Sequence, residues 1–290
     1  MKNILHNLKK ALSDPALIFL KEWGAEYASL DLGDEFPIED AIALSTVASL
    51  KINKGAKVLE IGSWKGRSSI ILGLICKKRG AKLTCVDTWN GSPSAKHQVN
   101  EAENQDIYTI FIKNIKSFFL EKTITSYRLK SDSFFEISEN EYDFIFIDGN
   151  HAFSQFTNDL KNSIRFLGRN GYMCGHDCEY KFDQLPESDQ RKILTNLEAD
   201  YIQSSDTSIN CGLHPGVIYG LWSVFGGNTF SLRSTHKAGL GIWFVQQLNI
   251  PAHYFIDNFH KNLVKAALII KERKLLETFP CMNEYIKKTI

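Results

Sequence analysis

Lys57-Val-Leu-Glu-Ile-Gly-Ser-Trp-Lys-Gly-Arg-Ser-Ser69 is the stretch whose reading decides the fold. Val58, Leu59 and Ile61 have the character of a short buried strand, Gly62 opens a turn, and the turn feeds straight into an apolar helical run. A strand–turn–helix of this kind presents backbone N–H groups and a positive helix end at the carboxyl edge of a sheet. Open α/β folds bind their ligands there.

Outward from that turn, strands and helices alternate. A helix is expected over about 66–79, a strand over 82–87, a helix over about 106–120 and a strand over 125–130. Residues 142–148, nearly continuous in apolar side chains, suit a strand buried on both faces. A helix over about 153–167 and a strand over 172–177 follow. This alternation predicts an α/β fold with a doubly wound, mainly parallel sheet. Residues 228–233 and 241–246 read as a closing antiparallel pair at one edge. The stretches 88–105 and 178–210 are polar, the second with one helix around 188–198. Helical patterns occupy 1–30 (Leu5, Leu8 and Leu12 on one face, broken at Pro15), 37–50 and 256–290, with 31–36 as a loop.

A chain of 290 residues with 43% hydrophobic and 23% charged residues is ordinary for a soluble protein, and a net charge of +1 gives no field that argues for nucleic acid or an anionic membrane. No apolar run approaches the roughly 18 residues of a membrane span. The N-terminus lacks the apolar centre and cleavage site of a signal peptide. Six scattered cysteines suggest buried thiols in a reducing compartment, so a cytoplasmic location is expected. Cys174 and Cys178 flank His176, but no second Cys/His pair at finger spacing supports zinc there.

The spacing of the turn limits its ligand. Counting from Gly62, the second and third glycines of a dinucleotide fingerprint fall on Trp64 and Arg67, and no Gly-Lys-Ser/Thr closes a phosphate loop. What stands is Glu60-x-Gly62-x-x-x-Gly66, with Asp87 at the end of the next strand and Asp132 at the end of the third. This combination resembles the S-adenosylmethionine site of class I methyltransferases. Four further motifs narrow the resemblance to the bacterial small-molecule and sugar O-methyltransferase-like group. They are Asp87-Thr-Trp-Asn-Gly91, Asp148-Gly-Asn-His-Ala-Phe153, Gly175-His-Asp177 and His214-Pro-Gly-Val217.

The resemblance implies a seven-stranded Rossmann-like sheet with an antiparallel edge strand. It divides the chain into an N-terminal helical extension (1–54), a methyltransferase domain (55–250) and a C-terminal helical tail (251–290). It implies S-adenosylmethionine as cofactor, with Glu60, Gly62, Ser63, Gly66, Asp87, Thr88, Trp89, Asp132, Ser133 and Asp148 as its contacts. In that picture Asp87 accepts the ribose hydroxyls and Asp132 meets the adenine amine.

Asp148 and Asp177 end strands expected to be neighbours, so their carboxylates can converge on Mg²⁺ or a similar divalent cation, with His176 as a weaker third ligand. His151 is expected to remove the acceptor's proton, an imidazole being poised near neutral pH. His214 is expected at the acceptor pocket or in a plain loop. The acceptor is expected to be a hydroxyl of a small molecule, sugar or glycan. An N-methyltransferase without metal, or a catalytically silent binding protein, is the alternative. The C-terminal tail is the expected place for homo-oligomer contacts or for cover over the site.

Overall fold

The computed structural model describes residues 15–30, 36–206, 212–232, 241–245 and 252–287. The expected helical face of Leu5, Leu8 and Leu12, Cys211 and most of the 31–36 loop lie outside the described residues.

A short 3-10 turn leads into α1 (Ile18–Ser29), followed by α2 (Ile38–Lys51). Helix α2 is buried on nearly every side from Ile38 to Ala48, which explains its small and apolar composition. Then come β1 (Lys57–Ile61), α3 (Arg67–Arg79), β2 (Lys82–Asp87), α4 (Lys96–Asn104), α5 (Ile107–Ser117) and β3 (Ile124–Arg128). The chain continues through α6 (Ser131–Ile137), β4 (Tyr142–Ile147), α7 (Phe153–Phe166), β5 (Leu167–Gly175) and α8 (Glu187–Leu194). After β6 (Ile202–Gln203) and β7 (Gly212–Leu213), a small separate hairpin, come α9 (Pro215–Phe225), β8 (Thr229–Leu232) and β9 (Ile242–Val245). Helices α10 (Ala252–Glu272) and α11 (Asn283–Lys287) close the described chain.

The main sheet has seven strands in the order β3-β2-β1-β4-β5-β9-β8. Pairings are parallel from β3 through β5, and β9 runs antiparallel to both β5 and β8. The expected doubly wound sheet is therefore present, with its antiparallel pair at one edge. One core, which includes residues of α1, α2, α3 and α10, fills one face of the sheet; a second, around α7 and α9, fills the other.

Three local expectations differ. The polar 88–105 stretch contains α4, which has no buried residue and so leaves no apolar stripe in the sequence. Strand β3 stops at Arg128, and Asp132 lies in the first turn of α6, where an acidic side chain complements the helix end. Strand β5 begins at Leu167, directly after α7, with a register shift against β4 near Tyr142.

The sheet sets the crossing point that matters most. Gly62 has φ 84°, and a Cβ there would lie 1.9 Å from the Asp148 carbonyl oxygen. Gly80 also has positive φ (61°) yet has nothing within 4 Å of such a Cβ. Gly80→Ala should therefore cost about 1–2 kcal/mol, the ordinary left-handed penalty. Gly62→Ala should exceed about 4 kcal/mol, because backbone must move as well. Urea unfolding of the two variants compares them directly; equal losses would contradict the close approach.

Candidate functional site

Asp87 holds the glycine turn open. Its Oδ2 accepts hydrogen bonds from the backbone N–H groups of Ser63 and Trp64, both at 2.8 Å, and its Oδ1 accepts from Trp89 N–H at 2.6 Å. Trp64 and Trp89 both have positive φ (44° and 53°), and the Trp89 indole donates to the Trp64 carbonyl at 2.7 Å. Two tryptophans in the left-handed region need such a surrounding lattice of bonds to persist. Beneath the turn, the fully buried Glu60 accepts from Ser63 at 2.7 Å and from Ser69. Burial lifts the Glu60 carboxyl above its usual range although those hydroxyls oppose the shift.

The turn opens into a cavity of about 950 Å³ at the carboxyl ends of β1, β2 and β4. Its volume lies at the upper end for a small-molecule site, enough for more than one modest ligand. Gly62, Ser63, Asp87, Thr88, Asp148, His151, His176 and Asp177 all line it. Glu60, Gly66, Trp89, Asp132 and Ser133, also expected as cofactor contacts, are not among its lining residues. Glu60 and Trp89 support the turn from behind. Gly66 caps α3 with φ 95°. The Asp132 carboxylate is taken by the amides of Gln155 and Asn158 on α7, because α6 turns it away from the cavity. Ser131, Gln155 and Asp159 line the wall at that end instead.

At the opposite end, three imidazoles surround Asp177. His151 Nε2 lies 2.8 Å from Asp177 Oδ2, His176 Nδ1 lies 3.2 Å from Oδ1, and His214 Nδ1 lies 3.9 Å from Oδ1. His176 Nδ1 is also 3.5 Å from Asp148. Each ring has a second carboxylate of its own: Asp200 on His151 Nδ1 at 2.9 Å, Asp40 on His176 Nε2 at 3.1 Å, and Glu179 on His214 Nδ1. These groups come from distant places. Asp40 lies on α2, Asp148 and Asp177 follow neighbouring parallel strands, Asp200 follows α8, and His214 precedes α9. Gly216 lets α9 start against the loop, since a Cβ there would meet the His151 carbonyl oxygen at 2.1 Å. That is the physical content of His214-Pro-Gly.

Burial opposes the charge on all these groups, and their mutual attraction decides the outcome. Despite burial, His176, His214 and His151 hold the Asp177 carboxyl well below the usual range. Burial lifts Asp148, only partly countered by His176. Burial disfavours the His151 cation, yet Asp177 and Asp200 outweigh it and hold the ring well above the usual histidine value. His176 is held up in the same way by Asp177 and Asp148. With Asp177 and Asp200 both on its ring, His151 is more basic than an ordinary imidazole. Asp40, Glu179 and Asp200 were not anticipated, because nothing in their local sequence marks them.

Residues 59–178 match the family model described as "Methyltransferase domain". No curated protein matches the sequence. Among solved structures, the chain is similar to the O-methyltransferase TomG from Streptomyces achromogenes in complex with SAM, at 13% identity, covering 82% of this chain and 90% of that one with a TM-score of 0.47. It is similar to the O-methyltransferase from Bacillus cereus in complex with SAH at 18% identity, covering 81% and 92%, TM-score 0.43. The SAH-bound Podospora anserina methyltransferase PaMTH1 matches at 14% identity, covering 81% and 89%, TM-score 0.44. Likenesses this distant say nothing about what this chain binds.

Asp159 yields a pH test of the cavity wall. Burial lifts its carboxyl to about 7, against a hydrogen bond from Gln155 at 3.1 Å. An unfolded aspartate titrates near roughly 4, so the folded protein binds the extra proton between about pH 4 and 7. The associated stability is complete below about pH 4 and is lost as pH rises through the folded value, on the order of 1 kcal/mol per pH unit. Asp159→Asn removes that dependence. Its stability relative to the parent should rise steadily from pH 5 to pH 7 in urea titrations; a constant difference would place the titration elsewhere.

Proposed function

We propose that this chain, whose residues 59–178 are a class I S-adenosylmethionine-dependent methyltransferase domain, methylates a hydroxyl of a small molecule or sugar. The observation that carries the reading is the Asp87-anchored glycine turn facing Asp148 and His151 across one cavity. Gly62 and Ser63 would take the methionine end of the cofactor. Asp87 and Thr88 would take the ribose, since Asp87 Oδ1 makes a single backbone bond and a carboxylate oxygen can accept a further hydroxyl. Ser131 and Gln155 would meet the adenine.

Methyl transfer is an in-line displacement, so most of what the protein contributes is alignment of the hydroxyl with the sulfonium. Asp148 lies beside the turn and would orient that hydroxyl. Asp148, His176 and Asp177 each offer a ligand atom within 4.8 Å of one another, a donor set that fits a divalent cation. When bound, such an ion supplies Lewis acidity that lowers the pKa of the acceptor hydroxyl. His151, which lines the same cavity, would receive the acceptor's proton in its neutral form. The working unit is taken as 55–250, with 1–54 and 251–290 as helical extensions.

Calorimetric titration with S-adenosylmethionine and with NAD tests the cofactor. Binding of the first and not the second is expected, and the reverse would refute the reading. Asp87→Ala should weaken S-adenosylmethionine by about 10–100-fold, the worth of a charge-assisted hydrogen bond, with circular dichroism unchanged. Unaltered affinity would remove Asp87 from the ribose. With a hydroxyl acceptor found by screening for S-adenosylhomocysteine release, His151→Ala should lower kcat by about 100-fold or more at unchanged cofactor affinity. Retained turnover would exclude it as the proton acceptor.

A further inference from the structure

Two of the imidazoles around Asp177 share one construction. His151 and His176 each turn one ring nitrogen to Asp177 while a carboxylate elsewhere in the chain holds the other, Asp200 for His151 and Asp40 for His176; His214 turns Nδ1 to both Asp177 and Glu179. Metal-ligating histidines are held in this manner, because a carboxylate on the other nitrogen fixes the tautomer and makes the ligating lone pair more basic. A site built only for Mg²⁺ needs oxygen ligands and gains nothing from oriented imidazoles.

His151, Asp177 and His214 each offer a ligand atom within 4.8 Å of one another. The His151 and His214 ring centroids are 4.7 Å apart and nearly perpendicular, at 77°. Asp177 itself sits at φ 64°, a left-handed conformation that aspartate tolerates better than most residues. Gly216 and Pro215 fix His214 at the start of α9, directly against the His151 backbone.

We propose that His151, His214 and Asp177 form a two-histidine, one-carboxylate site for a borderline divalent transition ion such as Co²⁺, Ni²⁺, Fe²⁺ or Zn²⁺. This site adjoins the Asp148–His176–Asp177 set through the shared Asp177. Imidazole donors select such ions over Mg²⁺. An ion here takes the His151 lone pair, so the proton-accepting role of His151 belongs to the protein with this site empty. The inference goes beyond the methyl-transfer reading and stands whether or not that reading holds.

The full-length protein, stripped with a chelator, is titrated with CoCl₂, ZnCl₂ and MgCl₂ by calorimetry, and the cobalt form is followed by visible absorption. One Co²⁺ per chain is expected, with ligand-field bands of a nitrogen-containing site, and Zn²⁺ binding about 100-fold or more tighter than Mg²⁺. His214→Ala should abolish those bands. Asp200→Asn, which keeps side-chain shape behind His151, should weaken Co²⁺ by roughly 10–100-fold. Circular dichroism and thermal melting of each variant check folding, and if His214→Ala does not fold, Asp200→Asn decides. Mg²⁺ binding as tightly as Zn²⁺, or unchanged cobalt spectra and affinities in the variants, would overturn the site. S-adenosylmethionine titration of the stripped protein is scored separately. Cofactor binding without selective metal binding defeats only this inference, and metal binding without cofactor binding defeats only the methyltransferase reading.

Discussion

The passage of Gly62 against the Asp148 carbonyl is the contact on which the rest depends. Parallel pairing of β1 with β4 brings two strand ends side by side, and only a residue without Cβ lets the turn after β1 cross the end of β4. The crossing seats the turn's N–H groups beside the carboxylate that follows β4. The Asp87 carboxylate then fixes the turn by bonding to two of those N–H groups. The glycine turn and Asp148 are thus parts of one backbone junction, separated by a strand spacing of about 4.8 Å.

Asp177 plays the corresponding part on the other side of the cavity. A buried carboxylate is costly unless several partners compensate it, and three imidazoles do so here. Each imidazole is matched in turn by a further carboxylate. The result is a buried network in which rings and carboxylates alternate. Such a network specifies geometry more than it adds stability.

What the amino-acid sequence revealed follows from range. The strand–turn–helix, the alternation around it and the pairing of strands ending at Asp148 and Asp177 were legible, because periodicity and glycine placement act over a few residues. Helix α4 was not, since it buries no residue and lacks an apolar stripe. Asp132, expected at a strand end, lies in the first turn of α6, a boundary shift of a few residues that gives its carboxylate to Gln155 and Asn158. Asp40, Glu179 and Asp200 were invisible for a different reason. Their significance lies in the ring each meets, and Asp40 meets His176 across 136 positions of chain.

The contribution of Asp40 bears on how small a working version of this protein can be. Helix α2 is buried from Ile38 to Ala48 and belongs to the same core as α3 and α10. A fragment cut to residues 59–178 would expose that core and would also leave His176 without its carboxylate. It would lose His214 and Asp200 as well, and with them one of the three imidazoles around Asp177 and the second carboxylate of His151. The region recognisable as a methyltransferase domain is therefore smaller than the smallest unit able to keep its own site in order. Excision, grafting or recombination of this domain has to respect the outer helices as structural members.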